Sequence, residues 1–128
     1  MSRLVLDGGA VTKLSSFSRQ ATAQVGALRA DGLWPPVVPT AVVVECTSGR
    51  PGADAPTNQL LATCEVRSDL PVKLARRAAR LRHLAKRGSA VDAIVVAMAE
   101  PSGYVLTGDV GDLSALAAHA ADVTVVGI

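Results

Sequence analysis

The sequence has 128 residues, of which 49% are hydrophobic and only 2% aromatic, and its formal net charge is +2. This length predicts a single domain over residues 1–128, with a core filled mainly by Ala, Val and Leu. No apolar run approaches the roughly 20 residues that a membrane span needs. The N-terminal apolar run between Arg3 and Asp7 is too short, and too soon followed by charge, for a secretory signal peptide.

The hydrophobic pattern alternates between strands and helices along the chain. In chain order it predicts a strand at residues 4–6, helices at 10–16 and 18–30, a strand at 37–38, a helix at 56–62, a weak strand at 64–67, helices at 71–87 and 89–100, a strand at 104–106, a helix at 110–121 and a strand at 123–126. Strands separated by helices predict an α/β domain with a parallel sheet covered on both faces.

Two segments between these elements need separate comment. Pro39 suits the first turn of a helix over residues 40–47, but the valines at 42–44 are equally compatible with a strand. The Gly- and Pro-containing segment 48–52 predicts a loop. Cys46 and Cys64 stand in apolar surroundings without a CxxC or His pattern, so we expect free thiols in a reducing cytoplasm.

Acidic residues follow the predicted strands or begin the predicted helices. Asp7 could be a turn residue before two glycines. The run from Ser89 to Asp92 has the form of a capping box, and Asp109 could be the N-cap of the next helix. Glu45 has no evident capping position among its apolar neighbours, and a buried ionised carboxylate is costly unless it is paired or metal-bound.

Taken together, these acids suggest a shared site. In a parallel sheet, ligands bind beyond the carboxyl ends of the strands, where the strand order reverses. Carboxylates that converge to about 4 Å repel by about 4 kcal/mol per pair at an effective dielectric constant near 20. A divalent cation with oxygen ligands, Mg²⁺ or Mn²⁺, relieves that repulsion and activates water for phosphoryl chemistry.

A strongly basic helix is the second feature of the sequence. Seven of the 13 Lys and Arg residues fall between Lys73 and Arg87. An apolar stripe on this segment predicts one buried face. Arg76, Arg80 and Arg87 share another face, which is either simply solvated or a surface that contacts phosphates and binds RNA less tightly as salt is raised.

These motifs resemble those of PIN-domain ribonucleases, specifically the VapC toxins of bacterial toxin–antitoxin pairs. The resemblance covers essentially the whole chain and is most specific in Val-Asp-Ala-Ile-Val-Val-Ala and Leu-Thr-Gly-Asp-Val-Gly-Asp-Leu. It implies a three-layer α/β/α PIN-like domain with a parallel sheet of about five strands. It also implies Mg²⁺- or Mn²⁺-dependent endoribonuclease activity in the cytoplasm, a homodimer, and inhibition by a cognate VapB-like antitoxin.

The resemblance also implies roles for individual residues. It assigns catalysis and metal binding to an acidic quartet, with a fifth acid as an additional metal ligand and a hydroxyl residue as a substrate contact: Asp7, Glu45, Asp92, Asp109, Asp112 and Thr107. Two positions depart from the family pattern. Gly9 stands where Ser or Thr is common, and Gly108 where Arg is frequent, so one contact near the metal and one phosphate contact are in question.

Other classes of protein fit less of the sequence. A phosphoacceptor receiver domain normally has paired acids after its first strand and a late Lys, whereas Asp7 stands alone before two glycines. A non-catalytic nucleic-acid-binding or partner-binding module needs only the basic helix. Cleavage of RNA in Mg²⁺ but not in EDTA separates that module from a nuclease.

Overall fold

The computed structural model describes residues 2–128. Five strands form one sheet: β1 (Leu4–Leu6), β2 (Val37–Pro39), β3 (Glu65–Arg67), β4 (Tyr104–Thr107) and β5 (Thr124–Gly127). Seven helices connect them: α1 (Gly8–Leu14), α2 (Arg19–Ala30), α3 (Thr40–Cys46), α4 (Pro51–Leu61), α5 (Val72–Ala85), α6 (Ala90–Ala99) and α7 (Val110–Ala117).

All strand pairs are parallel, and the strand order is β3-β2-β1-β4-β5. Val5 in the central strand β1 pairs in register with Val37 on one side and with Val105 on the other. The chain therefore builds the sheet outwards from β1 to β3 and then crosses back to place β4 on the opposite side of β1. The strand order reverses between β1 and β4.

Two helical layers cover the sheet, as the sequence predicted, in a three-layer α/β/α arrangement. Helix α1 packs against α2, α3 and α4, whereas α5, α6 and α7 pack against one another. Every residue of β1 is buried, as are the last three residues of β4. This continuous burial explains why the central strands are uninterrupted apolar runs without alternation. No helix within residues 2–128 is long and apolar enough to cross a membrane.

Two local predictions are settled by the structure. The segment after Pro39 is the helix α3 and not a strand. Helix α4 begins at Pro51, five residues earlier than predicted, because proline at the first helical position needs no N–H partner. The backbone N–H groups of Ser48 and Gly49 donate to the carboxylate of Asp54, at 2.8 Å each, which fixes the turn before this helix.

Helix α7 ends at Ala117, four residues before the predicted end. The following residues form a tighter turn in which the N–H of Ala120 donates to the carbonyl of Ala117. The N–H of Ala121 then donates to the Glu100 carboxylate at 2.8 Å. The carboxylate of Glu100, which is distant in sequence, therefore accepts the hydrogen bond that the N–H of Ala121 would have donated within a longer helix.

Candidate functional site

The predicted site begins at the carboxyl ends of the two neighbouring strands between which the order reverses. Asp7 directly follows β1, and Asp109 lies two residues after Thr107, the last residue of β4. Asp7 is 5% exposed and caps α1 by accepting a hydrogen bond from the N–H of Ala10 at 2.8 Å. Parallel strands thus bring two of the predicted acids to the same edge of the sheet.

Thr107 joins the two strand ends. Its side chain is fully buried, and its hydroxyl donates to the carboxylate of Asp7. The same hydroxyl oxygen accepts a hydrogen bond from the N–H of Asp109 at 2.7 Å. The N–H of Gly108 makes a longer contact of 3.4 Å with Asp7. The Thr107 hydroxyl therefore fixes the orientation of Asp7. Its single donor hydrogen is used in that bond and is not available to a substrate.

The two glycines that depart from the family pattern touch each other. A Cβ added to Gly9 would lie 3.1 Å from the Cα of Gly108, and a Cβ added to Gly108 would lie 3.2 Å from the Cα of Gly9. Neither position has room for a side chain without a shift of backbone. The close approach of Gly9, in the first turn of α1, to Gly108, just after β4, sets the separation between the segments that carry Asp7 and Asp109.

Glu45 and Asp92 approach from the two opposite helical layers. Glu45 lies near the end of α3, and a Cβ added to Gly8 would be 3.4 Å from its Oε1. Asp92 lies in the first turn of α6. Partial burial raises the pKa of Glu45, and the negative charges of Asp92 and then Asp7 raise it further. Asp92 and Asp7 therefore both act electrostatically on Glu45.

Glu45 is more exposed than its sequence neighbours suggested. The valines before it led us to expect a buried carboxylate, but α3 is a helix whose outer face carries both Val44 and Glu45. Val44 is 79% exposed. The apolar run is therefore not a buried strand, and Glu45 can meet both solvent and the other acids.

The interpretation as helix caps is confirmed for Asp92 and Asp109, whereas Asp7, which was expected to be a turn residue, is the N-cap of a helix. Ser89 and Asp92 form a complete capping box, in which the Asp92 carboxylate accepts from the N–H of Ser89 at 3.1 Å. Asp109 caps α7 by accepting from the N–H of Asp112 at 3.5 Å, and Asp7 caps α1. Capping and a shared electrostatic site thus coexist, because helix N-termini and parallel strand ends point to the same edge of the sheet.

The carboxylate oxygens of these acids are of the kind that bind a divalent cation. Their side chains, however, lie too far apart for three of them to ligate one ion directly. Among residues 2–128, no three His, Cys, Asp or Glu side chains come close enough to hold one ion. Mg²⁺ keeps several waters and needs only one or two carboxylates. Besides burial, the charges of Asp92 and Asp7 raise the pKa of Glu45, and a bound cation would offset that repulsion.

Asp112 lies beside the quartet but has a different partner. Its carboxylate accepts a hydrogen bond from Nε of Arg87 at 2.7 Å. The sequence had suggested Asp112 as a metal ligand and Arg87 as part of a basic face, without connecting the two. The connection could not be found from spacing, since the residues lie 25 positions apart on different elements.

The basic helix α5 has the predicted buried stripe, in which Ala78 and Leu81 belong to the core. Arg76 and Arg80 are exposed. Arg77 is committed elsewhere, because it makes a paired hydrogen bond to Glu100 at 2.7 and 2.8 Å. Its role is therefore in holding α5 to the end of α6.

Comparisons with known proteins bear on the fold. No protein-family model matches the chain, and neither does any curated protein. Among solved structures, PAE2754 from Pyrobaculum aerophilum aligns with 97% of this chain and 90% of its own, at a TM-score of 0.65 and 15% identity. FitAcB from Neisseria gonorrhoeae aligns over 95% of both chains, at a TM-score of 0.61 and 17% identity.

The fold is PIN-like. The family resemblance read from the sequence is thereby confirmed at the level of the fold. At identities this low, structural likeness does not carry activity from one protein to another. The more specific prediction of a VapC toxin, with its metal and its RNA substrate, stays a prediction.

Proposed function

We propose that this chain is a metal-dependent endoribonuclease that acts as the toxin of a type II toxin–antitoxin pair. The observation that carries the proposal is the electrostatic effect of Asp92 and Asp7 on Glu45. These acids come from three separate segments of the chain, and Asp7 lies at the end of β1, where the strand order reverses. Such an edge is where α/β folds bind ligands.

Asp7, Glu45, Asp92 and Asp109 would hold Mg²⁺ or Mn²⁺. The bound ion would supply a water activated at neutral pH and would stabilise charge on the phosphoryl oxygens. In the hydrolysis, a water oxygen forms a new bond to phosphorus, the bond to a ribose oxygen breaks, and that oxygen acquires a proton. Both products leave as separate RNA ends.

The residues of the chain contribute position and proton transfer. Thr107 orients Asp7 by a buried hydrogen bond, which limits the number of geometries that the carboxylate can adopt. Glu45 is exposed to solvent and would accept a proton from the attacking water. Arg76 and Arg80 provide an exposed positive surface for the RNA backbone.

The partners follow from the same proposal. A toxin of this type would act in the cytoplasm as a homodimer and would be inhibited by a cognate VapB-like antitoxin. Light scattering of the purified chain at several concentrations measures its oligomeric state. Co-expression with an adjacent gene for a small protein, followed by purification of a complex, tests for the antitoxin.

The decisive experiment is cleavage of a mixed RNA pool in Mg²⁺ and in EDTA. We expect cleavage only with the metal, and we expect Asp92→Asn to abolish it, because the amide retains the capping oxygen but loses the charge. Ser89→Ala is the matched control for the cap. It should cost about 1 kcal/mol of stability while leaving the carboxylate and the cleavage in place.

Asp31→Asn provides a control for net charge, since Asp31 is an exposed acid at the end of α2. Unchanged cleavage in Asp92→Asn would contradict the proposal. Intact RNA under both conditions would favour the second candidate, a non-catalytic module that binds nucleic acid or a partner. The wide spacing of the acids and their engagement with helix ends are the observations that support this alternative.

A further inference from the structure

Arg87 lies outside α5, so the prediction that it shares a helix face with Arg76 and Arg80 is wrong. The helix ends at Ala85, and the chain then turns through two residues of positive φ, Lys86 at 56° and Gly88 at 91°. Arg82 supports this turn by donating to the carbonyl of Gly88 at 3.3 Å. A Cβ on Gly88 would lie 3.8 Å from the Cβ of Asp92, so the turn passes directly beside one of the quartet acids.

The guanidinium of Arg87 extends from this turn to the start of α7. Asp112 binds its Nε at 2.7 Å. A Cβ added to Gly111 would lie 3.4 Å from a terminal nitrogen of Arg87 and 3.5 Å from Oδ1 of Asp109. Any side chain at Gly111 would therefore crowd the gap between the guanidinium and the fourth acid of the quartet.

The ion pair leaves Arg87 able to bind something else. Asp112 uses the Nε–H, so the terminal amino groups of the guanidinium remain available to another acceptor. The Arg87 side chain is 57% exposed, compared with 31% for Asp112. In residues 2–128, no other Lys or Arg forms a salt bridge with any of the five predicted site acids.

We propose that Arg87 binds the phosphate of the RNA at the site and that Asp112 is a positioning residue for Arg87, which gives Asp112 a role other than metal ligation. This inference rests on the proposed function, because it takes RNA as the substrate. A phosphate placed against the acids needs a cation beside it, and a planar guanidinium donates to phosphate oxygens in a fixed geometry. Asp112 holds that plane in place before the RNA arrives.

The test compares Arg87→Gln with Arg19→Gln, which removes the same charge from an exposed position on α2. Binding of a fluorescent RNA is measured in EDTA, and cleavage is measured in Mg²⁺. We expect Arg87→Gln to weaken binding about tenfold and Arg19→Gln to change it less than twofold. We also expect kcat to fall by about 10- to 100-fold in Arg87→Gln, with Arg87→Lys recovering part of the loss.

Asp112→Asn tests the positioning role. Because Asp112 acts through Arg87, the double variant Arg87→Gln/Asp112→Asn should be no less active than Arg87→Gln alone. Mn²⁺ affinity measured by calorimetry should be unchanged in Asp112→Asn and reduced in Glu45→Gln. Additive losses, or reduced Mn²⁺ affinity in Asp112→Asn, would overturn the positioning role.

Equal behaviour of Arg87→Gln and Arg19→Gln in both assays would overturn the phosphate contact while leaving the nuclease proposal in place. Conversely, a wild-type protein that does not cleave RNA in Mg²⁺ contradicts the nuclease proposal. In that case the binding assay in EDTA still decides the role of Arg87. Folding of each variant is checked by circular dichroism and thermal unfolding, and Arg87→Lys retains the charge that pairs with Asp112.

Discussion

At the scale of single residues, the Thr107 hydroxyl connects three features of the site. It is buried, it donates to Asp7, and it accepts from the N–H of Asp109. The sequence assigned Thr107 to substrate binding because a hydroxyl at this place is common in the family. Its two hydrogen bonds within the protein indicate instead that it orients the acid from β1 relative to the acid after β4.

Thr107→Val keeps the shape of the side chain and removes the hydroxyl. We expect it to lower the free energy of unfolding by about 1–3 kcal/mol, because the buried Asp7 carboxylate and the N–H of Asp109 each lose a partner. Thr107→Ser keeps the hydroxyl and should retain most of the stability. Urea unfolding of both variants measures the difference, and equal stability of the two would show that the hydroxyl has no such role.

Glu100 gives a prediction about pH. The hydrogen bonds from Arg77 hold the pKa of Glu100 below its usual value of 4.5, against the opposing effect of burial. Since the pKa is lower in the folded than in the unfolded state, this stabilisation is present above about pH 4.5 and is lost as the pH falls through the lowered pKa.

Glu100→Gln should therefore reduce stability at pH 7, by about 1 kcal/mol because Arg77 is 39% exposed and its charge is partly screened. The difference between wild type and variant should shrink at pH 3. Glu65→Gln, at an exposed acid on the edge strand, serves as the control for loss of one charge. A wild-type advantage that is the same at both pH values would contradict the linkage to Glu100.

At this scale, the sequence predicted side-chain contacts between residues that are close along the chain. It did not predict contacts between residues that are far apart along the chain. The capping box of Ser89 and Asp92 was visible because its two residues are three positions apart. The pairs Arg77–Glu100 and Arg87–Asp112 span 23 and 25 positions, so no periodicity could indicate them. The exposure of Glu45 depended on whether its valine-rich segment was a helix, which periodicity left open.

At the scale of elements, close backbone contacts determine how the strands and helices meet. A Cβ on Gly103, just before β4, would lie 2.2 Å from the carbonyl oxygen of Ala99 and 2.9 Å from that of Arg3. The absence of a side chain at Gly103 therefore lets the end of α6 and the start of β1 approach β4. This contact fixes the strand whose other end carries Thr107.

Gly103→Ala should lower the free energy of unfolding by at least about 2 kcal/mol, since both neighbouring atoms belong to the backbone and cannot move cheaply. Gly26→Ala is the matched control. A Cβ at Gly26 meets nothing within 4 Å, and alanine in the middle of α2 should raise stability by about 0.5–1 kcal/mol. Thermal unfolding distinguishes the opposite signs, and a shift of the same sign in both variants would contradict the argument.

The predicted elements were right in kind and order, and the errors lie at their ends. The apolar stripe of α5 is a pattern typical of a helix, and the capping box of Ser89 and Asp92 indicates where α6 begins. The start of α4 was missed because Pro51 and Gly52 usually indicate a loop, whereas here Asp54 satisfies the preceding backbone. The end of α7 was missed because the alanines there are equally good in a helix.

At the scale of the whole molecule, the acids at one edge of the sheet repel each other when no cation is bound. Burial raises the pKa of Glu45 most, and repulsion by Asp92 and Asp7 raises it further. A metal that binds only the folded state should stabilise it, by about 2.7 kcal/mol at a concentration 100 times the dissociation constant. The wild-type melting temperature should therefore rise in Mn²⁺ or Mg²⁺ and return to its starting value in EDTA.

Glu45→Gln should have effects of opposite sign in the two conditions. In EDTA at neutral pH it should raise the melting temperature, because it removes a charge that Asp92 and Asp7 disfavour. In Mn²⁺ it should reduce the stabilisation, because it removes a ligand. Asp31→Asn should leave both values unchanged. If the metal stabilises Glu45→Gln as much as wild type, the metal site does not include this residue.

The order of strands has a consequence for how the protein is made. Because β1, β2 and β3 are consecutive in the chain, the first 67 residues contain one side of the sheet together with Asp7 and Glu45. Asp92 and Asp109 reside in the remaining portion. A nascent polypeptide on the ribosome therefore lacks Asp92 until translation reaches α6 and lacks Asp109 until translation has passed β4, so the complete set of four acids exists only when the chain is nearly finished.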